Sequence, residues 1–201
     1  MREGRTSDPL PVAPLIPLTR LGKRAKIGLL ADTHCHAPGA ADLPDAVLDA
    51  FRGADLVVHL GDMGEAPVLD RLATVANVVA TRGRDDPLDD PRIAASVRVI
   101  EAGELVVGAL FDLAAVGLGS ATADQLDVST DFSPELLQRV FGRPVGVIAF
   151  GATHCAMLAS YRGVLLVNPG SPTLPARPEA GATVAVLELH DGIATVELTK
   201  F

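Results

Sequence analysis

The chain has 201 residues, of which 48% are apolar and 21% charged. That length suits one domain with a sizeable core, and that apolar fraction excludes a disordered chain. The net charge is −8; residues 1–26 carry six basic side chains against Glu3 and Asp8, which leaves the remainder at −12 and argues against broad nucleic-acid binding.

Residues 1–24 are rich in proline, and the pattern predicts an irregular or partly docked tail ahead of one domain over residues 25–201. The prolines interrupt every apolar run there. No signal-peptide core and no run long enough to span a bilayer is visible, so a soluble cytoplasmic protein without membrane contact is expected. The excess of arginine over lysine and the abundance of alanine fit a GC-rich bacterial genome. Two cysteines make no disulfide framework.

KIGLL (26–30) reads as a buried strand. Apolar spacing predicts a helix over 42–54, with Asp42 as its cap and Gly53 as its stop. ADLVVHL (54–60) is a second buried strand, 65–76 a helix and NVVAT (77–81) a third strand. Alternation of this kind with short connections points to a parallel sheet covered by helices. The stretch 97–119 alternates poorly and predicts two or three strands in hairpins. Ser133 caps a helix over 133–142, VGVIAF (145–150) is a strand, and 157–170 forms a hairpin. The last 19 residues, 183–201, form a hairpin about Asp191–Gly192. The fold class is α/β with mixed sheets.

Chemistry gathers where the predicted strands end. KIGLL runs into ADTHCH (31–36), LVVHL into Gly61–Asp62, NVVAT into RGRDD (82–86), and VGVIAF into GATH (151–154). Ligands collect at the carboxyl ends of strands in parallel sheets. Carboxylates and imidazoles brought there from separate strands can hold a divalent cation.

The ordered set D-x-H (Asp32, His34), GD (Asp62), a G-x-x-D stretch (Gly83–Asp86), GATH (His154) and a late NPGS (Asn168–Ser171) resembles the calcineurin-like metallophosphoesterases, in particular their small single-domain bacterial and archaeal phosphodiesterases. The resemblance runs from about Lys26 to the C-terminus. It implies two mixed β-sheets packed as a sandwich with helices outside. It also implies a two-metal site, with Asp32, His34, Asp62 and His154 on the first metal. The second metal would share Asp62 and take three further residues. Here those three positions read Arg84 for an asparagine, Val116–Gly117–Leu118 for a histidine–glycine–histidine stretch, and Ala152 for a histidine.

Half of a two-metal site is therefore expected, holding about one manganese, iron or zinc ion per chain. One reading is a phosphodiester hydrolase that uses this metal and Arg84, with Asp62 and Arg84 as catalytic residues and Arg84 binding a small phosphorylated substrate or phosphate. The other is a non-catalytic scaffold on the same fold, as in a sorting-complex subunit of the superfamily. Arg84 is expected to turn inward onto Asp62 or a bound anion; the alternative is an outward pair with Asp85 or Asp86. His36 and Asp85 are additional ligand candidates, although a solvent-facing loop suits His36 better. His59 lies within an apolar strand and reads as a core histidine or a support for a ligand. His190 precedes a turn and reads as structural. Cys35 and Cys155 follow predicted ligands and should point away from the metal as small filler. Asn168–Ser171 reads as a turn that fixes the strand beside the site. A homo-oligomer is left open.

Overall fold

In a computed structural model of the chain, residues 16–87, 89–94, 96–130 and 132–201 are described. The first fifteen residues of the expected tail lie outside them. Strand β1 (Leu18–Leu21) and β2 (Arg24–Leu30) open the fold, followed by α1 (Asp45–Ala50), β3 (Leu56–His59), α2 (Pro67–Leu72), β4 (Asn77–Thr81) and β5 (Ile93–Ala94). Then come β6 (Val97–Ala102), β7 (Leu105–Leu110), β8 (Gly119–Ala121), β9 (Leu126–Val128), α3 (Pro134–Phe141) and β10 (Val147–Ala149). The chain closes with β11 (Ala156–Tyr161), β12 (Val164–Pro169), β13 (Thr183–His190) and β14 (Ile193–Lys200).

Twelve of these strands make two six-stranded sheets, ordered β1-β6-β7-β10-β12-β11 and β14-β13-β2-β3-β4-β5; β8 and β9 form a separate ribbon. Both sheets are mixed. β2, β3, β4 and β5 run parallel, as do β7, β10 and β12, while β6, β11, β13 and β14 add antiparallel pairs. This is the expected two-sheet sandwich.

Side-chain alternation explains its three layers of core. Ile27, Leu29, Leu56 and Val58 face the partner sheet and meet Ile100, Val107, Val147 and Val167. The opposite faces bury Leu30, Val57 and Val184 under α1 and α2, and Val99, Ile148 and Leu166 under α3. The C-terminal ends of α1 and α3 each seat a phenylalanine on a glycine. A Cβ added at Gly28 would lie 2.6 Å from the Phe51 ring, and Gly108 gives Phe141 the same room. Gly28→Ala is therefore expected to overpack the interface and lower stability by ~1–3 kcal/mol, read as a fall in the thermal midpoint at unchanged metal stoichiometry.

Several boundaries differ from the sequence expectations. The helix expected over 42–54 starts only after Pro44, because Asp42 turns away from it: its carboxylate accepts the backbone N–H groups of His36 and Ala37 at 2.8 and 3.1 Å. Of the stretch 97–119, residues 97–110 form one hairpin; the chain then makes a 3-10 turn over Ala114–Val116 before the β8–β9 ribbon. Leu18–Leu21, within the expected tail, docks as an edge strand parallel to Val99–Ala102. The C-terminal hairpin turns at Asp191–Gly192 as expected, both at positive φ (49° and 79°), the geometry that matches the twist of two antiparallel strands. Among the described residues no helix is long and apolar enough to cross a membrane.

Candidate metal centre

The carboxyl ends of β2, β3 and β4 meet those of β7, β10 and β12 along one border of the sandwich. Asp32 follows β2, Asp62 follows β3, Gly83–Asp86 follow β4, and His154 follows β10. Cross-sheet contacts lock these loops together. The Ala152 N–H donates to Asp32 Oδ1 at 3.2 Å, and the Ser171 hydroxyl donates to the Asp32 carbonyl at 2.8 Å.

Asp32, His34 and His154 converge, with one ligand atom of each lying within 4.8 Å of the others. The two imidazoles stack with ring centroids 5.1 Å apart. His154 Nε2 lies 3.8 Å from Asp32 Oδ1, and His34 Nε2 lies 3.9 Å from Asp62 Oδ2, which brings Asp62 to the group. The backbone supports this convergence at a cost. Asp32 (φ 53°), His34 (42°), Asp62 (53°) and His154 (55°) all adopt the left-handed region, as does Ala152 (70°). Such conformations persist where the surroundings enforce them, and they cluster at functional sites.

The donor chemistry fits a divalent transition metal. Asp32 is fully buried, and its Oδ2 has no hydrogen-bond partner among the described residues. Burial pushes its carboxyl up to about 7; the neighbouring His154 opposes the shift and Asp62 adds to it. An orphaned, desolvated carboxylate oxygen is costly unless a cation reaches it. His154 Nδ1 sits 2.7 Å from the Leu174 carbonyl, which can only accept, so Nδ1 carries the hydrogen and Nε2 keeps its lone pair for the site. Two carboxylates and two imidazoles are a common set for manganese, iron or zinc.

The surrounding hydrogen bonds hold this arrangement. Asn168 donates to the Gly151 carbonyl at 2.8 Å and to Thr153 Oγ1 at 3.1 Å, so the NPGS turn pins the GATH loop. His59 is buried, and burial lowers its pKa to about 3. Its Nδ1 accepts the Gly61 N–H at 3.2 Å, and its Nε2 lies 2.9 Å from the Thr33 hydroxyl. The neutral ring thus ties the Asp32 loop to the Asp62 loop. Asp86 is likewise a loop tie, accepting the N–H groups of Asp62, Met63 and Gly83 at 3.0, 2.7 and 2.7 Å.

Arg84 departs from the expected pose. Its guanidinium does not turn onto Asp62. The side chain is 71% exposed, lies over the Phe111 ring at 5.8 Å and pairs with Asp112 at 3.6 Å. The loop backbone does the expected task instead: the Arg84 N–H donates to Asp62 Oδ1 at 2.5 Å and that of Asp85 follows at 3.4 Å. With that oxygen served and Asp86 occupied, the nearby Asp112 receives the guanidinium. Asp85 is exposed and reaches the site through its backbone. His36 is exposed and stands outside the Asp32–His34–His154 group. Cys35 is buried in the helix-side core, which pushes its thiol up to about 12, and Cys155 Sγ makes only a weak contact with the Ala156 carbonyl. His190 is exposed beside Asp191.

The stretch Val116–Leu118, read as the fourth motif, does not stand at a strand end. β7 ends at Leu110, so its strand-end positions are Phe111–Asp112–Leu113, whereas Val116 ends the 3-10 turn and packs on the α3 core. Phe111 stands at the border: its carbonyl accepts the Gly151 N–H at 2.9 Å, and its ring would lie 2.6 Å from a Cβ at Gly61. An aromatic ring and an arginine therefore stand on the Asp62 side of the site. Neither was legible as a pair, because only the end of β7 relates Phe111 to Asp62.

Comparison with known proteins follows the same span. Residues 25–192 match the calcineurin-like phosphoesterase superfamily domain. A probable metallophosphoesterase of Methanocaldococcus jannaschii is 34% identical over 160 residues, covering 79% of this chain and 73% of that protein. Vacuolar protein sorting 29 of Cryptosporidium parvum superposes with a TM-score of 0.61 at 19% identity, covering 89% of this chain and 98% of that one. A structure described as a novel archaeal phosphodiesterase gives a TM-score of 0.57 at 19% identity, covering 87% and 99%. The matched span contains all six strand-end loops of the border, and on that extent and the identity to the archaeal relative the chain belongs to the calcineurin-like phosphoesterase superfamily.

Proposed function

We propose that the protein is a phosphoester hydrolase, acting on phosphodiesters, with one divalent metal held by Asp32, His34, Asp62 and His154. The observation that carries this reading is the convergence of Asp32, His34 and His154 around a buried carboxylate oxygen without a partner. When bound, such a cation supplies positive charge that polarises a phosphoryl oxygen and makes a water more acidic. In hydrolysis the water oxygen bonds to phosphorus, the ester P–O bond breaks, and the departing alcohol takes up a proton. The residues contribute position and charge. Ser171, Asn168 and the Leu174 carbonyl fix Asp32 and His154, while Arg84 offers a guanidinium that can leave Asp112 for a phosphate oxygen, since an exposed pair of this kind contributes little.

The scaffold reading draws support from a different observation. Ala152 offers the site only an N–H and a methyl group, and the guanidinium of Arg84 is engaged by Asp112. The discriminating experiment is elemental analysis paired with a phosphodiester assay on the same preparation, purified without chelator. The hydrolase reading expects about one metal equivalent per chain and slow turnover that tracks occupancy. His154→Ala should reduce occupancy and turnover together. Full metal occupancy without turnover on any phosphoester would favour the scaffold, and two tightly held metals would overturn the single-site assignment.

A further inference from the structure

A cleft of about 370 Å³ opens beside His34, and Arg84 is not among its lining residues. Thr33, His34 and Asp42 line it together with the apolar Pro44, Pro172 and Leu174. Its volume is at the small end of ligand sites. We propose that this cleft seats the alcohol portion of the phosphoester, accepts a small uncharged group, turns away an anionic one, and owes that preference to Leu174 and Asp42. The inference rests on the hydrolase reading above.

Leu174 is the central observation. A leucine side chain that is 54% exposed is unremarkable on a loose loop, but this one stands on fixed backbone. Its N–H donates to Ser171 Oγ at 2.8 Å, and its carbonyl accepts His154 Nδ1 at 2.7 Å. The preceding Thr173 hydroxyl donates to the Thr33 carbonyl at 2.5 Å. The residue that orients one metal-facing imidazole therefore also presents an apolar surface next to the other. A ligand held at His34 and His154 by its phosphoryl group has its ester substituent within reach of that surface.

Charge narrows the occupant. Among the described residues no lysine or arginine lines the cleft, whereas Asp42 does. Burial tends to raise the Asp42 carboxyl, but the N–H groups of His36 and Ala37 outweigh it and hold the group below its usual range, so it is negative at neutral pH. A second phosphate or a carboxylate on the substrate would meet this charge with no counter-ion. The basic side of the site lies across Asp62, where Arg84 stands near Asp112. The site thus offers positive charge on one side and apolar surface with a carboxylate on the other, which suits a phosphoester of a small neutral alcohol better than one bearing further anionic groups.

Isothermal titration of the metal-loaded full chain with inorganic phosphate, phenylphosphonate and phosphonoacetate tests this. Phenylphosphonate is expected to bind about tenfold tighter than phosphate, as burial of part of an aryl ring would give, and phosphonoacetate more weakly than phosphate. Leu174→Ala, which keeps the carbonyl on His154, should erase the phenyl preference, so that phenylphosphonate binds no tighter than phosphate to the same variant. Asp42→Asn, which keeps an oxygen for the His36 and Ala37 N–H groups, should restore phosphonoacetate to the affinity of phosphate. Equal binding of all three by the parent, or a phenyl preference that survives Leu174→Ala, would overturn the cleft assignment alone. Failure of the metal-loaded protein to bind any of the three would overturn both the cleft and the hydrolase reading.

Discussion

Asp32→Asn is expected to abolish metal binding and yet make the metal-free protein more stable above neutral pH. Both effects come from the same carboxylate. In the metal-free chain Asp32 is fully buried, its Oδ2 has no partner among the described residues, and burial raises its pKa from 3.8 to about 7. A folded-state pKa above the unfolded value means that the native state holds this proton more tightly. The charge therefore costs nothing below the unfolded pKa, the cost grows as pH rises from 3.8 towards about 7, and it is complete above that. At full extent it amounts to a few kcal/mol. Asparagine removes the charge, can still accept the Ala152 N–H at Oδ1, and tolerates the left-handed backbone at this position (φ 53°) better than most residues. Chelator-treated parent and variant should melt alike at pH 4, and the variant should melt several degrees higher at pH 8. Added manganese or zinc should raise the parent's midpoint strongly at pH 8, weakly at pH 5, and the variant's at neither. A variant less stable than the chelated parent at pH 8 would mean that Asp32 is satisfied without a cation.

The architecture was legible because its segments carry consistent local signals. KIGLL, ADLVVHL and NVVAT are short apolar runs bounded by glycine or aspartate, and each is a strand within two residues of its expected limits. What escaped was set by contacts distant in sequence. Asp42 reads as a helix cap by composition, yet its carboxylate is taken by two N–H groups of the preceding loop, and Pro44 delays the helix. Leu18–Leu21 carries too little pattern to announce a strand; it becomes one because β6 offers a free edge.

The residues of the candidate metal site were legible for a related reason. Each follows a strong strand, so Asp32, His34 and His154 could be placed at one border from strand order alone, and they do converge. The poses of side chains within that border were not legible. Nothing in GRDD distinguishes an arginine that turns onto Asp62 from one whose backbone serves Asp62 while its side chain lies over Phe111. Glycine and valine recur through 106–119, so the end of β7 was not legible there; it falls at Leu110, which puts Phe111 rather than Val116 at the strand end. The left-handed backbone shared by Asp32, His34, Asp62 and His154 has no sequence signature short of glycine, and none of them is glycine.

That relocation gives the largest expected gain of function. If the loss of a second cation limits turnover, restoring its ligands should recover it, but only from positions that face Asp62. Arg84→Asn, Phe111→His and Ala152→His together put an amide and two imidazoles on the strand-end loops that surround Asp62: residue 84 donates its N–H to that carboxylate, residue 111 lies against Gly61, and residue 152 contacts Asp32. Removing the arginine also frees Asp112 from its ion pair. The triple variant should bind about two metal equivalents and hydrolyse an aryl phosphodiester on the order of 10²–10³-fold faster than the parent, the scale associated with one preorganised charge at a phosphoryl transition state. Replacing the buried Phe111 should lower metal-free stability, and the second ion should restore it, so the metal-dependent rise in thermal midpoint provides a check that does not depend on rate. The control is the same triple with Val116→His in place of Phe111→His. Val116 ends the 3-10 turn and packs among the α3 side chains, so a histidine there has no path to Asp62, and this variant should bind only one equivalent with turnover close to the parent's. Equal gains from both triples would show that position 111 is not where the lost ligand belongs. Two bound equivalents without faster turnover in the Phe111→His triple would show instead that the missing cation is not what limits the rate.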